Sequence, residues 1–244
     1  YAIKQELVSK FPDVNIISIL ANVTNKKRMK DVCLSFNLDT IYHAAAYKHV
    51  PLVEENPFEA VSNNILGTKI CAESAIEAGV ETFVLISTDK AVRPSNIMGA
   101  TKRFAELILQ SMAEATTTKM IMVRFGNVIE TRGNVFEVWR SELKNNEPLS
   151  ITDPTSERFF FHSDEAINFI LKCLLITNNG ELYVPKMKSY KIKDLAKEYS
   201  KKHKIIGLRQ GEKLKETLIT ESEKNNAIEK SDMWIIKSYK PVKL

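Results

Sequence analysis

Short apolar segments alternate with longer segments of helical periodicity through the first two-thirds of the chain. The apolar segments lack the apolar–polar alternation of half-exposed strands, which is typical of strands buried on both faces. The predicted strands are Val14–Leu20, Thr40–Ala46, Thr82–Ser87 and Lys119–Phe125. The predicted helices are Tyr1–Phe11, Lys26–Phe36, Pro57–Ala78 and Gly99–Ala113. This alternation predicts a doubly wound α/β fold with a parallel sheet.

The pattern becomes less regular after Asn127, where prolines interrupt it. Short predicted strands are Leu149–Thr152, Glu181–Val184 and Met233–Ile236, and predicted helices are Ser163–Ile176 and Ile192–His203. We therefore expect a main domain over residues 1–128 and a smaller mixed lobe over 129–244, with some exchange of chain between them. Open α/β sheets bind ligands at the carboxyl ends of their strands, so the lobe is expected to close over such a site.

Composition narrows the class of protein. The chain has 244 residues, 44% hydrophobic and 27% charged, which excludes a disordered tail, a collagen-like repeat and a disulfide-stabilised miniprotein. The net charge is only +5, and acidic residues are interleaved with the lysines, so we expect a solvated surface and no nucleic-acid partner. The three cysteines form no CxxC pair, so no metal site is expected. No apolar run is long enough to predict a membrane segment in this chain.

The segment Ser87–Arg103, STDKAVRPSNIMGATKR, concentrates candidate chemistry. Polar side chains follow a buried strand at its carboxyl end, and Met98 and Lys102 are four residues apart on one face of the next helix. A solvated loop is the alternative interpretation. The number of reactive side chains at one strand end favours a functional site.

The chain resembles the extended short-chain dehydrogenase/reductase superfamily and, more narrowly, its nucleotide-sugar 4,6-dehydratases of bacterial polysaccharide and protein-glycan synthesis. The segments that carry this resemblance are His43–Pro57 (HAAAYKHVPLVEENP), Asn63–Thr68 (NNILGT), Ser87–Arg103, Val123–Val128 (VRFGNV) and Gly207–Glu216 (GLRQGEKLKE). The resemblance implies a Rossmann-like fold and the conversion of UDP-N-acetylglucosamine to its 4-keto-6-deoxy product. It also implies NAD or NADP as cofactor, a nucleotide-sugar partner and a homo-oligomer.

The same resemblance implies roles in the reaction. Asp89 is expected to be the acid at the C6 oxygen and Lys90 the base at C5, beside the strand-end Thr88. Lys102 is expected to hold the nicotinamide ribose. Met98 stands where the superfamily has a tyrosine that takes the proton of the 4-hydroxyl. A thioether cannot take that proton, so either Asp89 or Lys90 acts instead or the site is inactive.

Further residues match ligand-binding positions of the family. Those expected at the cofactor are Asn22, Val23, Ala44, Ala45, Ala46, Lys48, Asn64, Ser87 and Lys102. Those expected at the substrate are Lys48, Asn127, Arg158, Arg209 and Glu212. Tight backbone packing is the alternative reading of the three alanines, and a surface ion pair that of Arg209 with Glu212.

The chain also departs from the family pattern. Asn22 stands where an aspartate is usual, and Ile129–Arg132 replaces a glycine-bearing stretch. None of the eight glycines forms the GxGxxG or GxxGxxG loop that cradles a pyrophosphate. Residues Tyr1–Phe11 resemble the helix after the family's second strand, so the elements before it, including the phosphate loop, are expected to be missing here.

Two other functions stay open. One is a UDP-sugar 4-epimerase on the same fold, although such enzymes rely on the tyrosine that Met98 replaces. The other is a non-catalytic remnant that binds a nucleotide sugar. The expected location is cytoplasmic, either as a separate protein or as the cytoplasmic domain of a membrane-tethered one, as the Met-bearing relatives often are.

Overall fold

A six-stranded sheet forms the centre of the molecule, in the order β1-β2-β3-β7-β11-β10. The computed structural model describes residues 2–129, 131, 133–176 and 178–238. The strands are β1 Thr40–His43, β2 Thr82–Thr88, β3 Lys119–Phe125, β4 Asn127–Val128, β5 Leu149–Ile151, β6 Glu157–Phe161, β7 Leu182–Pro185, β8 Ser189–Lys191, β9 His203–Ile205, β10 Ala227–Glu229 and β11 Met233–Ile236.

The helices are α1 Ala2–Lys10, α2 Lys26–Phe36, α3 Val50–Glu55, α4 Pro57–Ala60, α5 Gly67–Glu77, α6 Ile97–Ala113, α7 Val135–Lys144, α8 Ser163–Ile176, α9 Ile192–Tyr199 and α10 Glu221–Lys224. A π-helical segment, Val61–Leu66, joins α4 to α5 without a break. A short 3-10 turn, Asp89–Ala91, follows β2 directly. None of the helices in the described ranges is long and apolar enough to cross a membrane.

Strands β1, β2, β3 and β7 are parallel, which confirms the predicted parallel α/β core. Thr82 pairs with Lys119 and Thr88 with Phe125, so β2 and β3 begin and end together. Their carboxyl ends, and that of β1, therefore lie at one edge of the sheet. The loops that leave these three ends contain most of the predicted reactive residues.

Both faces of the sheet are covered. Phe83 and Leu85 of β2 belong to one buried cluster with residues of α5 and α6, whereas Val84 belongs to another with Phe169 of α8. Successive strand residues face opposite sides, so a continuous apolar run is what a sheet covered by helices on both faces requires.

A smaller lobe follows β3 and has its own apolar cluster, which includes Trp139, Leu149 and Ile192. Its strands form the groups β4-β6-β8 and β5-β9. The chain then returns to the large sheet, because β7, β11 and β10 complete its other half. The domain boundary predicted after residue 128 stays a prediction.

Two predicted elements are wrong in the structure. Val14–Leu20 forms no strand, and Leu20 is 99% exposed. An extended segment is stable only when a partner pairs with its backbone, and no described strand pairs with these residues. The helix predicted to reach His203 ends at Tyr199, because residue 203 begins β9 and pairs with Leu149. The helix predicted over 1–11 is confirmed for Ala2–Lys10, and Tyr1 lies outside the described residues.

Candidate active site

The carboxyl end of β2 carries a tightly bonded trio of side chains. Asp89 is fully buried, and its Oδ1 accepts hydrogen bonds from the Thr88 hydroxyl at 2.9 Å and the Lys90 ammonium at 3.0 Å. Its Oδ2 is also buried but has no partner among the described residues. A buried carboxylate oxygen without a donor is costly, so this atom is poised to accept a hydrogen bond or a proton.

Helix α6 approaches this turn closely because Gly99 has no side chain to separate them. The helix begins after Asn96, whose Oδ1 caps the backbone N–H of Gly99 at 2.7 Å. The first turn of α6 then packs on the 3-10 turn, with Gly99 against the carbonyl oxygen of Lys90. This contact fixes where Met98 and Lys102, on α6, lie relative to Asp89 and Lys90.

Lys102 is almost completely buried beneath the strand end. Its ammonium donates to the carbonyl oxygen of Ile86 at 2.5 Å. Burial lowers the pKa of Lys102 from 10.5 to about 8, and the nearby Glu106 carboxylate opposes part of that decrease. Burial, together with the charge of Lys102, also lowers the pKa of His43 to about 4. At neutral pH the site therefore combines a charged lysine with a neutral histidine.

Met98 is buried, with only 4% exposed, and packs in a small apolar cluster with Val53 and Ala60. It also lines the cavity described below. Its thioether is a weak acceptor and carries no transferable proton. The position therefore contributes shape and apolar surface to the site.

Asn64, in the π-helical segment, holds the loop that follows β1. Its side chain accepts from the backbone N–H of Tyr47 at 2.8 Å and donates to the carbonyl oxygen of Tyr47 at 3.0 Å. It also donates to the Thr101 hydroxyl at 3.0 Å. Asn64 thus links the loop containing Lys48 to helix α6. Its own segment is π-helical, and such segments are frequent at functional sites.

These elements enclose a cavity of about 320 Å³ at the carboxyl edge of the sheet. Predicted site residues that line it are Ala44, Ala46, Lys48, Ser87, Thr88, Lys90, Met98, Lys102 and Asn127. Asp89 does not line the cavity itself, but its two hydrogen-bond donors, Thr88 and Lys90, do. Protons can therefore pass between Asp89 and a ligand in the cavity through the Thr88 hydroxyl.

A second cavity, of about 220 Å³, lies in the smaller lobe and shares Asn127, Gly133 and Asn134 with the first. Arg158, Arg209 and Glu212 line it, as do apolar residues of the lobe. All the predicted substrate residues, including Lys48, therefore line one or both of two adjoining cavities. Lys90 lines the first of these cavities, and the two arginines line the second.

The arginines of the second cavity are held by the backbone and by a weak ion pair. Arg158 donates to the carbonyl oxygens of Glu157 and Leu214. Arg209 lies 3.7 Å from Glu212 and is 54% exposed at its side chain. A guanidinium suits the oxygens of a phosphate or a uracil ring, and an exposed pair of this kind contributes little to stability.

Some predicted cofactor residues do not line the first cavity, the one that contains Lys90. Asn22 accepts from the backbone and hydroxyl of Thr24, and Val23 packs against Gly67 at the start of α5. Ala45 and Asn64 do not line it, although their neighbours do. In the departure at Ile129–Arg132, residues Glu130 and Arg132 lie outside the described residues.

Sequence reasoning missed several residues of the site. His49 lines the cavity and packs against Gly133, where a Cβ would lie 2.6 Å from the ring. Glu106 accepts from the Ser87 hydroxyl at 2.5 Å and binds Arg124. The only sequence signal for Glu106 is its place four residues after Lys102, on the same face of α6.

The residues present fit the nicotinamide end of a dinucleotide. Ala44 and Ala46 leave the backbone after β1 open to close approach, and the buried Lys102 ammonium lies at the same cavity. A buried ammonium that keeps only one described carbonyl partner has donors left for ribose hydroxyls. Within the described ranges no group of three or more His, Cys, Asp or Glu side chains could hold a metal ion.

Comparisons with known proteins identify the family of the chain. A family model described as polysaccharide biosynthesis protein matches residues 1–238. The chain is 44% identical over 235 residues to the capsular polysaccharide biosynthesis protein CapD of Staphylococcus aureus, which covers 91% of this chain and 39% of that protein. It is 32% identical over 237 residues to a UDP-N-acetylglucosamine 4,6-dehydratase (inverting) of Campylobacter jejuni, which covers 95% of this chain and 70% of that enzyme.

The X-ray structure of Pen from Bacillus thuringiensis superposes with a TM-score of 0.91 at 33% identity, over 97% of this chain and 77% of that one. The fold and the order of its elements are therefore shared well beyond the site. The chain nevertheless spans only 39% of the length of CapD.

Proposed function

Because the chain belongs to the polysaccharide biosynthesis protein family, whose relatives include nucleotide-sugar dehydratases and epimerases, we propose that it carries the catalytic site of a UDP-N-acetylglucosamine 4,6-dehydratase. The observation that carries the proposal is the Thr88–Asp89–Lys90 trio. It combines a hydroxyl and an amino group that line the cavity with a buried carboxylate behind them, one oxygen of which has no described donor. Dehydration between C5 and C6 of a hexose requires such an acid and base side by side.

NAD or NADP would lie with its nicotinamide ribose against Lys102 and its ring near Ala44, Ala46 and Ser87. When bound, the nicotinamide supplies the hydride acceptor for C4 and the hydride donor for C6. The chain's own residues then manage the protons. Lys48, Asn127, Arg158, Arg209 and Glu212 would bind the UDP-sugar along the two adjoining cavities.

The proton transfers balance over one turnover. The Asp89 carboxylate receives the 4-hydroxyl proton through the Thr88 hydroxyl, 2.9 Å away. Lys90 donates to Asp89 as an ammonium in the resting site, so it must release a proton to solvent before it can act as a base. The resulting amine removes the C5 proton, and the protonated Asp89 gives its proton to the departing C6 oxygen, which leaves as water. Lys90 then returns its proton to C5. The ionised carboxylate and neutral amine are restored, and the net change is loss of one water from the sugar.

Met98 leaves this scheme intact, because no proton passes through it. The thioether cannot replace the tyrosine of the superfamily, so the 4-hydroxyl proton must go to another group. Thr88 with Asp89 supplies that group at the same cavity. If Lys90 protonates the face of C5 that it deprotonated, the configuration at C5 is retained.

The same arrangement argues against the two alternatives. A 4-epimerase needs no acid for a C6 oxygen and no base at C5, yet Asp89 and Lys90 occupy the strand end. A non-catalytic remnant has no need of a buried lysine, whose desolvation costs stability. A buried ionisable group that destabilises the fold and lies at a cavity is more typical of a catalytic site than of a site that only binds.

We further propose a homo-oligomer and a cytoplasmic location. Phe58 is 89% exposed, and Phe104 and Leu107 on the neighbouring α6 are also exposed, which suits burial against a second copy. The three cysteines are free and buried, as fits a reducing compartment. Sedimentation of the protein with Phe58→Asp beside the natural sequence tests the first point, with a shift to monomer expected.

The function is tested by incubating the full gene product that contains this chain with UDP-N-acetylglucosamine and NAD⁺ or NADP⁺. Mass spectrometry should show a sugar nucleotide that has lost one water. Asp89→Asn should lower the rate by about 10²- to 10⁴-fold, the range for loss of a general acid or base. Asp194→Asn, on the exposed surface of α9, is the matched control and should keep full activity. A folded natural protein that binds cofactor but releases no product would refute the proposal.

A further inference from the structure

Helix α6 holds the end of β2 at two consecutive residues. Lys102 donates to the carbonyl oxygen of Ile86, and Glu106 accepts from the hydroxyl of Ser87, each at 2.5 Å. The two helix residues are four apart, so they face the strand together. The next three residues of the strand and turn are Thr88, Asp89 and Lys90. Glu106 therefore fixes Ser87, the residue immediately before the reactive trio.

Glu106 is in turn held by a guanidinium whose five donors all have partners. Arg124, on β3, is fully buried and donates to both carboxylate oxygens of Glu106, at 3.0 and 2.7 Å. It donates to both oxygens of Glu223 at 3.1 and 2.9 Å, and to the carbonyl oxygen of Leu218 at 3.0 Å. Complete satisfaction of this kind allows one orientation of the side chain.

The far end of the network lies in the C-terminal part of the chain. Glu223 forms a capping box with Thr220 at the start of α10, which fixes its carboxylate in that turn. Arg103 adds a second positive charge, at 2.8 Å from Glu106 and 3.5 Å from Glu223. Two carboxylates and two guanidiniums thus form a cluster with no net charge, in which Arg103 is the partly exposed member.

A buried ion cluster is weak evidence for stability alone. Replacement by well-packed apolar residues is often neutral or stabilising, because desolvation offsets the attraction between the charges. What apolar residues could not do is accept the hydrogen bond of Ser87 and orient the strand end. The geometry of the network therefore favours a role in orientation.

We infer that Glu106 is a positioning residue for the proposed dehydration, and that Glu223, Arg124 and Glu106 connect residues 218–224 to the reactive trio through Ser87. This inference rests on the proposed function. Arg124 and Glu106 do not line the cavity that contains Lys90, so they act through Ser87. Loss of the connection should misplace Asp89 and Lys90 relative to C5 and C6 of the sugar. It should not alter the residues of the second cavity, where the nucleotide is proposed to bind.

The test compares turnover with stability. Ser87→Ala should lower kcat about tenfold and leave the KM for UDP-N-acetylglucosamine within about twofold, because the residues of the second cavity are unchanged. The Kd for the dinucleotide should also stay within about twofold, which separates positioning from the loss of a cofactor contact. Glu223→Gln should also lower kcat, although Glu223 lies in the C-terminal segment and not at the strand end. Glu221→Gln, two residues earlier on the exposed side of α10, is its matched control and should behave as the natural protein.

A substitution in the apolar core distinguishes a positioning role of Glu106 from a purely structural one. Ile121→Val, on the same strand as Arg124 and fully buried, should lower Tm modestly with kcat unchanged. If Ser87→Ala and Ile121→Val lower kcat equally at equal loss of Tm, the positioning role is overturned. It is also overturned if the natural protein is active and the Ser87→Ala variant has the same kcat. An inactive natural protein would instead overturn the proposed function.

Discussion

The carbonyl oxygen of Lys90 lies directly against Gly99, with its carbonyl carbon 3.0 Å from where a Cβ at position 99 would stand. The oxygen itself would overlap that Cβ. The approach of α6 to the reactive turn therefore depends on a glycine within the first helical turn, where glycine is otherwise unfavourable. Position 99 sets the distance between the pair Asp89 and Lys90 on one side and Lys102 on the other.

Gly99→Ala should separate the helix from the turn and lower activity by about 10²-fold, since a displacement of about 1 Å at a reacting group has that effect. The Lys90 backbone must give way, because the clash involves no flexible side chain. Turnover and circular dichroism measured together check this. Ala100→Ser, at the next and exposed position of α6, is the control and should retain activity. Full activity of Gly99→Ala would show that the turn tolerates the shift.

Met98→Leu should keep kcat within about threefold of the natural protein, because leucine conserves the volume of a buried methionine and no proton passes through the thioether. Position 98 packs on Val53 and Ala60, which tolerate an apolar side chain of this size. Product formation followed by mass spectrometry is the measurement. Abolished turnover in a folded Met98→Leu protein would mean that the sulfur takes part in the chemistry.

Lys102→Met should abolish turnover yet change the pH dependence of stability in a defined direction. The pKa of Lys102 falls from 10.5 in the unfolded chain to about 8 in the fold, so the buried charge destabilises the native state most below pH 8. That cost disappears as the pH rises towards 10.5. Relative to Lys102→Met, the natural protein should therefore gain about 2 kcal/mol of unfolding free energy between roughly pH 7.5 and 10.

Urea unfolding of both proteins at the two pH values measures this difference. Lys119→Met is the control, because Lys119 is an exposed lysine at the start of β3. Its stability difference from the natural protein should change little over the same range. A constant difference for Lys102→Met would show that Lys102 titrates near its ordinary pKa.

His43 should make the fold sensitive to acid. Its ring donates to the Thr68 hydroxyl, because the single proton of that hydroxyl is given to the carbonyl oxygen of Asn64 at 2.7 Å. The pKa of His43 falls from 6.5 to about 4, so the unfolded chain binds a proton that the native state refuses. The unfolding free energy should fall by about 2 to 3 kcal/mol between roughly pH 7.5 and 4.5 through this group.

His43→Gln keeps a donor for Thr68 and removes the titration. Urea unfolding at both pH values should show a smaller acid loss in the variant than in the natural protein. His162→Gln, in the smaller lobe, is the matched control. An equal acid loss in the natural protein and in His43→Gln would place the sensitivity in other groups.

The parallel core could be predicted from the sequence because its signals are local. Apolar runs such as Thr82–Ser87 must be buried on both faces, and the glycine after α5 ends a helix whatever surrounds it. The segment Ser87–Arg103 was predictable for the same reason. One strand end and one helix start bring Lys90, Met98 and Lys102 together over a short stretch of chain.

Features that depend on distant partners could not be predicted in the same way. Residues 14–20 have the composition of a buried strand, but pairing decides whether such a segment becomes one. The partly buried run Glu157–Phe161 forms β6 only by pairing with β4 and β8. Arg124 reads as an ordinary strand residue until Glu223, 99 positions away, is seen beside it. Nothing in the neighbouring sequence identifies that contact.

That separation also sets an order of events during synthesis. When β3 leaves the ribosome, the Arg124 guanidinium has Glu106 as an acceptor, but the acceptors at Leu218 and Glu223 do not yet exist. At about 5 to 20 residues per second, they follow roughly 5 to 20 seconds later. Until then a nascent chain would carry an incompletely satisfied arginine beneath its reactive turn. The turn after β2 is thus expected to reach its final position among the last parts of the domain. A chain stalled before residue 218 would contain β1, β2, β3 and β7 but would lack the acceptors that complete the Arg124 network.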